Sequence, residues 1–126
     1  MTTILLVDDD PLQASVMLSL LGRRFSDVRR AKDAAQALCL VEQPEFAGNL
    51  GLVISCHHTP EVGGPAFVSE LRSRMPNLPV LVIGTARETK ASYADPRVVF
   101  LPKPYAAETM LTVAGEMLAG RKSAVA

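Results

Sequence analysis

The chain alternates, five times over, between a short apolar run and a longer stretch with helical spacing, and this constrains its fold more than any other feature. Residues 4–7 (Ile-Leu-Leu-Val), 52–54 (Leu-Val-Ile), 80–83 (Val-Leu-Val-Ile) and 98–101 (Val-Val-Phe-Leu) are continuous apolar runs bounded by acids, Gly or Pro. Continuous runs, unlike alternating ones, suit strands buried on both faces. Residues 26–31 form a weaker fifth strand, nearer an edge. Strand–helix alternation of this kind predicts a parallel sheet, doubly wound, with helices on both faces. Sites in such sheets lie at the carboxyl ends of the strands, near the topological switch point.

The intervening stretches carry helix signals. Asp10 can cap a helix that has Pro11 at its first position, with Gln13 placed to complete a capping box. Leu12, Val16 and Leu20 recur every four residues, with Met17 and Leu21 beside them, and Gly22 can end the helix. Asp33 repeats the capping logic for a second helix that runs through Val41 and stops before Pro44, with Cys39 expected to pack in the core. A third helix is expected over 65–74, burying Phe67, Val68 and Leu71. The fourth, over 86–94, is short or irregular, since the stretch is polar and closed by Asp95-Pro96. The fifth starts near Ala106, sets Met110, Leu111, Ala114, Met117 and Leu118 on one face, and ends at Gly120.

At 126 residues the chain fits one domain, over 1–120, with 121–126 expected to fray. Thirteen basic residues balance thirteen acidic ones, which argues against a general binder of nucleic acid or membrane surfaces. No apolar run approaches the ~18 residues of a membrane span, and the first residues lack the pattern of a signal peptide. Two cysteines make no disulfide scaffold and suit the cytoplasm, the expected compartment. No output domain is read within the chain, so direct DNA binding is not expected.

The strand ends concentrate the chemistry. They carry Asp8-Asp9-Asp10, then Ser55-Cys56-His57-His58-Thr59-Pro60, then Gly84-Thr85, and last Pro102-Lys103-Pro104. Adjacent carboxylates are costly to hold together without positive charge, which a divalent cation or a Lys ammonium can supply. Asp10 is read as a helix cap. Asp8 and Asp9, at the end of a buried strand, are read as a site for a hard cation. Lys103 is the counter-charge the sequence offers. Gly63-Gly64 is no phosphate loop, and no P-loop motif exists.

Along nearly its whole length the chain resembles the response-regulator receiver domains of two-component signalling. The segments that carry the resemblance are Ile4-Leu-Leu-Val-Asp-Asp-Asp-Pro11, Val28-Arg-Arg-Ala-Lys-Asp-Ala-Ala-Gln-Ala-Leu38, Pro79-Val-Leu-Val-Ile83 and Lys103-Pro-Tyr105. The resemblance implies a flavodoxin-like (βα)5 fold with strand order 2-1-3-4-5. It also implies transfer of a phosphoryl group from a histidine kinase to an Asp, with Mg²⁺. Asp8 and Asp9 match the metal-binding acids, Lys103 the phosphoryl-pairing Lys, and Phe100 the aromatic that changes rotamer on activation. The fourth-helix, fifth-strand and fifth-helix face is the expected contact surface for a histidine kinase, an output protein or a second copy, with Phe100 and Tyr105 in it.

Two positions depart from the pattern. Setting Pro60 on the family's loop proline puts Cys56 where the phospho-accepting Asp belongs, and Gly84 falls where a Thr or Ser hydroxyl contacts the phosphoryl group. Thr85 follows, with its side chain expected on the opposite face from that of residue 84. Sulfur is a poor ligand for Mg²⁺, and neighbouring carboxylates disfavour the thiolate. Cys56 is therefore read as a small, inert, buried side chain. Zn²⁺ accepts the ligand types of Cys56, His57, His58, Asp8 and Asp9, but adjacent residues in an extended segment point apart, so the histidines are read as surface loop residues. The expected function is that of a degenerate receiver, a phosphorylation-independent protein-interaction module that is not an enzyme and requires no cofactor, with weak Mg²⁺ binding at most. The rivals are a working receiver phosphorylated unconventionally, and a thiol or metal sensor built on Cys56.

Overall fold

The computed structural model describes residues 2–56, 65–85 and 97–120, with the side chains of Pro65 and Thr85 excepted. His57, His58, Pro60, Gly63, Gly64, the helix expected over 86–94 and the tail 121–126 lie outside the described residues. Five strands, β1 (Thr3–Val7), β2 (Val28–Ala31), β3 (Leu50–Cys56), β4 (Val80–Thr85) and β5 (Val98–Lys103), form one sheet. Its order is β2-β1-β3-β4-β5, and every neighbouring pair is parallel. The helices described are α1 (Pro11–Leu21), α2 (Ala34–Val41), α3 (Pro44–Asn49), α4 (Pro65–Arg74) and α5 (Ala107–Leu118).

The pleat divides the apolar residues between two cores. Ile4, Leu6, Leu52, Ile54, Leu81 and Ile83 face Ala14, Met17 and Leu21 of α1 and Met110, Leu111, Ala114 and Met117 of α5. Leu5, Val7, Val53, Val80 and Val82 face Ala37 and Val41 of α2 and Phe67, Val68 and Leu71 of α4. The continuous runs of β1, β3 and β4 are thus used on both sides, as parallel strands demand. The edges differ. β2 alternates half-buried and exposed residues up to Ala31, and β5 is half-buried throughout its apolar run instead of fully buried. β5 also continues through Pro102 to Lys103, because a proline, lacking an N–H, is tolerated on an edge strand.

Three local expectations need correction. The buried stripe of α1 is Ala14, Met17 and Leu21, whereas Leu12 and Val16 are 76% and 55% exposed. Apolar residues occur on every side of this helix, so spacing alone does not select its inner face. Cys39 is exposed, because Ala37 and Val41 supply the inner face of α2. Pro44, read as a stop, also opens the short α3, in keeping with the preference of proline for a first helical turn.

Caps fix the helix starts that matter. The Asp10 carboxylate accepts from the N–H groups of Leu12 and Gln13 at 3.0 and 3.3 Å. Asp33 caps α2 through the N–H of Gln36, and the Gln36 amide oxygen accepts from the N–H of Lys32. At the start of β4, Arg72 donates to the carbonyls of Met75 and Leu78, which holds the turn leaving α4.

The buried face of α1 is open to a direct test. Met17→Ala should cost about 2–5 kcal/mol in urea unfolding, since it empties a core position. Leu12→Ala should change stability by no more than about 0.5 kcal/mol. Equal losses would contradict the assigned orientation of the helix.

Candidate functional site

The ladder brings the chemistry-bearing strand ends together. Leu6 pairs with Ile54 and Val7 with Ser55, so the next residue of each strand, Asp8 and Cys56, comes side by side on the α1–α5 face. Cys56 pairs with Ile83, Gly84 with Pro102 and Thr85 with Lys103, which places the ends of β4 and β5 on the same rim. Asp8 and Cys56 are both fully buried, Lys103 is half-buried, and Asp9 is exposed. Gly84 is buried.

Asp8 is the most heavily engaged residue of the rim. Its N–H donates to Ala31 O at 3.1 Å, continuing the β1–β2 ladder beyond the strands. Its carboxylate Oδ1 accepts from the N–H of Asp10 at 3.0 Å. That bond takes the donor that a capping box would have given to Gln13, so the start of α1 is tied to the pocket instead. Burial first, and then the charge and hydrogen-bonding pull of the neighbouring Asp8 carboxylate, push the Cys56 thiol far above its ordinary value. Lys103 opposes this and Asp9 adds to it, so both charges act within reach of the sulfur. Cys56 is accordingly a protonated, buried thiol at neutral pH.

Arg30 is the residue that sequence reasoning missed. Its Nε and Nη2 both donate to the backbone carbonyl of Asp8, at 3.1 and 2.9 Å. Lys103 is therefore not the sole counter-charge at the acidic end: a guanidinium sits against the first acid from the neighbouring strand. The signal was present but weak. Leu6 pairs with Arg30, and a long side chain one residue before the end of an edge strand can reach over the end of its neighbour.

Phe100 and Tyr105 fall on opposite faces of the sheet. Phe100, paired with Val82, packs half-buried against the α2–α4 core. Tyr105 packs half-buried against the α1–α5 core, and its hydroxyl donates to Met17 Sδ at 3.2 Å. Burial, and then the nearby Cys56 and Asp8, raise the Tyr105 hydroxyl above its usual range, so the ring borders the pocket.

The donor set can be compared with what a divalent cation needs. Mg²⁺ requires hard oxygen ligands in near-octahedral array. Asp8 commits Oδ1 to a backbone N–H, and the neighbouring strand end supplies a protonated sulfur in place of an oxygen. Among the described residues, no three His, Cys, Asp or Glu side chains are arranged to share a metal ion. These residues fit Mg²⁺ poorly.

Comparison with known proteins agrees with the fold. Residues 4–114 match the family model of the response regulator receiver domain. The sensor kinase CckA of Brucella abortus (strain 2308) is 32% identical over 120 residues, covering 93% of this chain and 12% of that protein. The DNA-binding transcriptional regulator NtrC of Bradyrhizobium sp. (strain RP501 Parasponia) is 30% identical over 127 residues, 98% of this chain and 25% of its own length. The chain thus spans about an eighth and a quarter of these two relatives. The crystal structure of the receiver domain from the hybrid histidine kinase CckA superposes with a TM-score of 0.73 at 33% identity, over 92% of this chain and 98% of that one. With its five parallel strands in the order 2-1-3-4-5, the chain belongs to the response regulator receiver domain family.

Proposed function

We propose that this domain is a degenerate receiver of a two-component or phosphorelay protein, working as a protein-interaction module that needs neither phosphorylation nor a cofactor and catalyses no reaction. The observation that carries the reading is Cys56 at the end of β3, fully buried beside Asp8, at the position matched to the acceptor Asp. A protonated thiol closed off from solvent is a weak nucleophile. It also supplies no hard oxygen to a cation beside Asp8 and Asp9. Gly84 removes the hydroxyl that would read a phosphoryl group and pass its presence to Phe100. The same burial of Cys56 weighs against a thiol sensor, which needs an accessible thiolate.

The relatives are, by name, a sensor kinase and a transcriptional regulator, so the partner is proposed to be a histidine kinase or an output protein. Its docking surface is proposed to be the β5 edge of the sheet, the fourth-helix, fifth-strand and fifth-helix face, with Phe100 on one side of that edge and Tyr105 on the other. Cytoplasmic residence goes with such partners. Among the described residues, no helix is long and apolar enough to cross a membrane.

The test is an NMR titration with Mg²⁺ and beryllofluoride, a phosphoryl mimic. Amides at residues 8, 56, 84 and 103 should show no saturable, coupled shifts, and saturable shifts would overturn the reading.

Restoring the acid should restore the cation. Cys56→Asp should bind Mg²⁺ on the order of tenfold or more tighter than the parent by calorimetry, since it adds a hard anionic oxygen. Its response to beryllofluoride should remain weakly coupled to Phe100 until Gly84→Thr is added. A full activation shift in the single variant would contradict the role given to Gly84.

The two cations of the rim should act separately. Lys103→Met should lower stability by about 1 kcal/mol in metal-free buffer, because a half-exposed charge pair is partly screened. Millimolar Mg²⁺ should raise the Tm of this variant more than that of the parent. Arg30→Met removes two charge-assisted hydrogen bonds to one carbonyl and should cost about 1–2 kcal/mol with little response to Mg²⁺. If both variants melt like the parent, neither cation braces the acids.

A further inference from the structure

Leu12 and Val16, one turn apart on the outer face of α1, have no role in the pocket and none in the core; they are 76% and 55% exposed. Leu20, the next residue in the same row, is half-buried with one side against the α1–α5 core, and Ser15 and Ser19 beside the row are exposed. No charged residue occurs from Pro11 to Gly22. A surface helix ordinarily carries charges on its outer side. Here the outer side is an apolar row bordered by two small hydroxyl residues, a surface on which another helix can approach closely.

The two ends of the helix carry opposite charge. Asp9 and Asp10 are exposed just before its first residue, and Arg23 and Arg24 are exposed just after its last turn. Arg24 is paired with Glu108 of α5, which leaves Arg23 as the cation directed to this end. Such a helix is its own complement. Turned about a two-fold axis through Val16, a second copy would set Leu12 against Leu20 of that copy, Val16 against Val16, and Asp9 against Arg23. The spacing closes because Asp9 and Arg23 each lie seven residues from Val16. Any other partner would have to bring a matching apolar row and a matching pair of opposite end charges, whereas this chain already holds both.

We propose that α1 is a self-association surface, on which a second copy of this domain packs its α1 antiparallel across a two-fold axis at Val16. A C₂ contact uses the same patch on both subunits, as this arrangement does. The helix is about 16 Å long, so the contact is smaller than the roughly 1,000 Å² expected of a stable interface. The dimer is therefore weak and concentration-dependent. The surface is separate from the β5–α5 side assigned above to a signalling partner and does not depend on how Cys56 behaves, so the self-contact expected there is placed on α1 instead.

Sedimentation velocity on the intact domain from roughly 10 µM to 1 mM, the range in which small interfaces form, tests the proposal. The parent should shift from monomer toward dimer across the series, and Val16→Glu, which brings two like charges together on the axis, should lower association about tenfold or more. Asp9→Lys and Arg23→Glu should each be monomeric alone. An equimolar mixture of the two should associate again, since the hetero-pair restores opposite charges at both ends, and this recovery also shows that both variants are folded. A parent that stays monomeric throughout, association that survives Val16→Glu, or a mixture no more associated than its components would each overturn the proposal. So would a parent that remains monomeric while α1 captures only a foreign helical hairpin.

Discussion

A carboxylate held at the buried end of a central strand organises this molecule's functional rim. Burying a charge is expensive unless its oxygens and the surrounding backbone are satisfied. Asp8 is tied in by its backbone and one carboxylate oxygen: its N–H donates to the Ala31 carbonyl and its carbonyl accepts from the Arg30 guanidinium, both of β2, and its Oδ1 accepts from the N–H of Asp10 before α1, with Cys56 of β3 beside it. Moving Asp8 would disturb all of them together. The rim is thus a set of hydrogen bonds converging on one residue, on a scaffold fixed by the ladder.

On the proposed reading, in which Cys56 takes the acceptor's place, the charge balance at that convergence changes. Three acids in one pocket repel, and receivers of the family offset them with a cation. The group at position 56 is instead a neutral thiol, which does not repel its neighbour. Arg30 and Lys103 then stand against Asp8 and Asp9, two positive charges against two negative, with no divalent ion in the count. The thiol of Cys56 stays protonated because burial and the neighbouring Asp8 both disfavour its charged form. This is a local physical reason for the pocket to be stable as it stands.

Much of this was legible in the sequence, for reasons that differ by residue. The continuous runs of β1, β3 and β4 announce strands covered on both sides; the sheet order comes from the family resemblance, and with it the coming together of positions 8, 56 and 103. The span of α4 and its buried Phe67, Val68 and Leu71 were readable because its apolar residues keep to one side. The inner face of α1 was not, because apolar residues surround that helix and its packing against β1 and α5 decides the matter. Cys39 was misplaced for a related reason: small Ala37 lies inward where the chain passes close to the sheet, and the thiol two residues on turns outward. Arg30 escaped because its bond is to a backbone carbonyl, a partner that carries no side-chain signature.

The two acids of the rim are then unequal. Asp9 is exposed, and its charge is felt at Cys56 without a described structural bond. Asp8 makes bonds that the fold needs with or without any phosphoryl chemistry. Removing Asp8's carboxylate would strand the N–H of Asp10 whatever stands at position 56. Retention of Asp8 is therefore weak testimony to retained phosphotransfer. The side chain at position 56 bears on that chemistry far more, because on the proposed reading it stands where the bond to phosphorus would have to form.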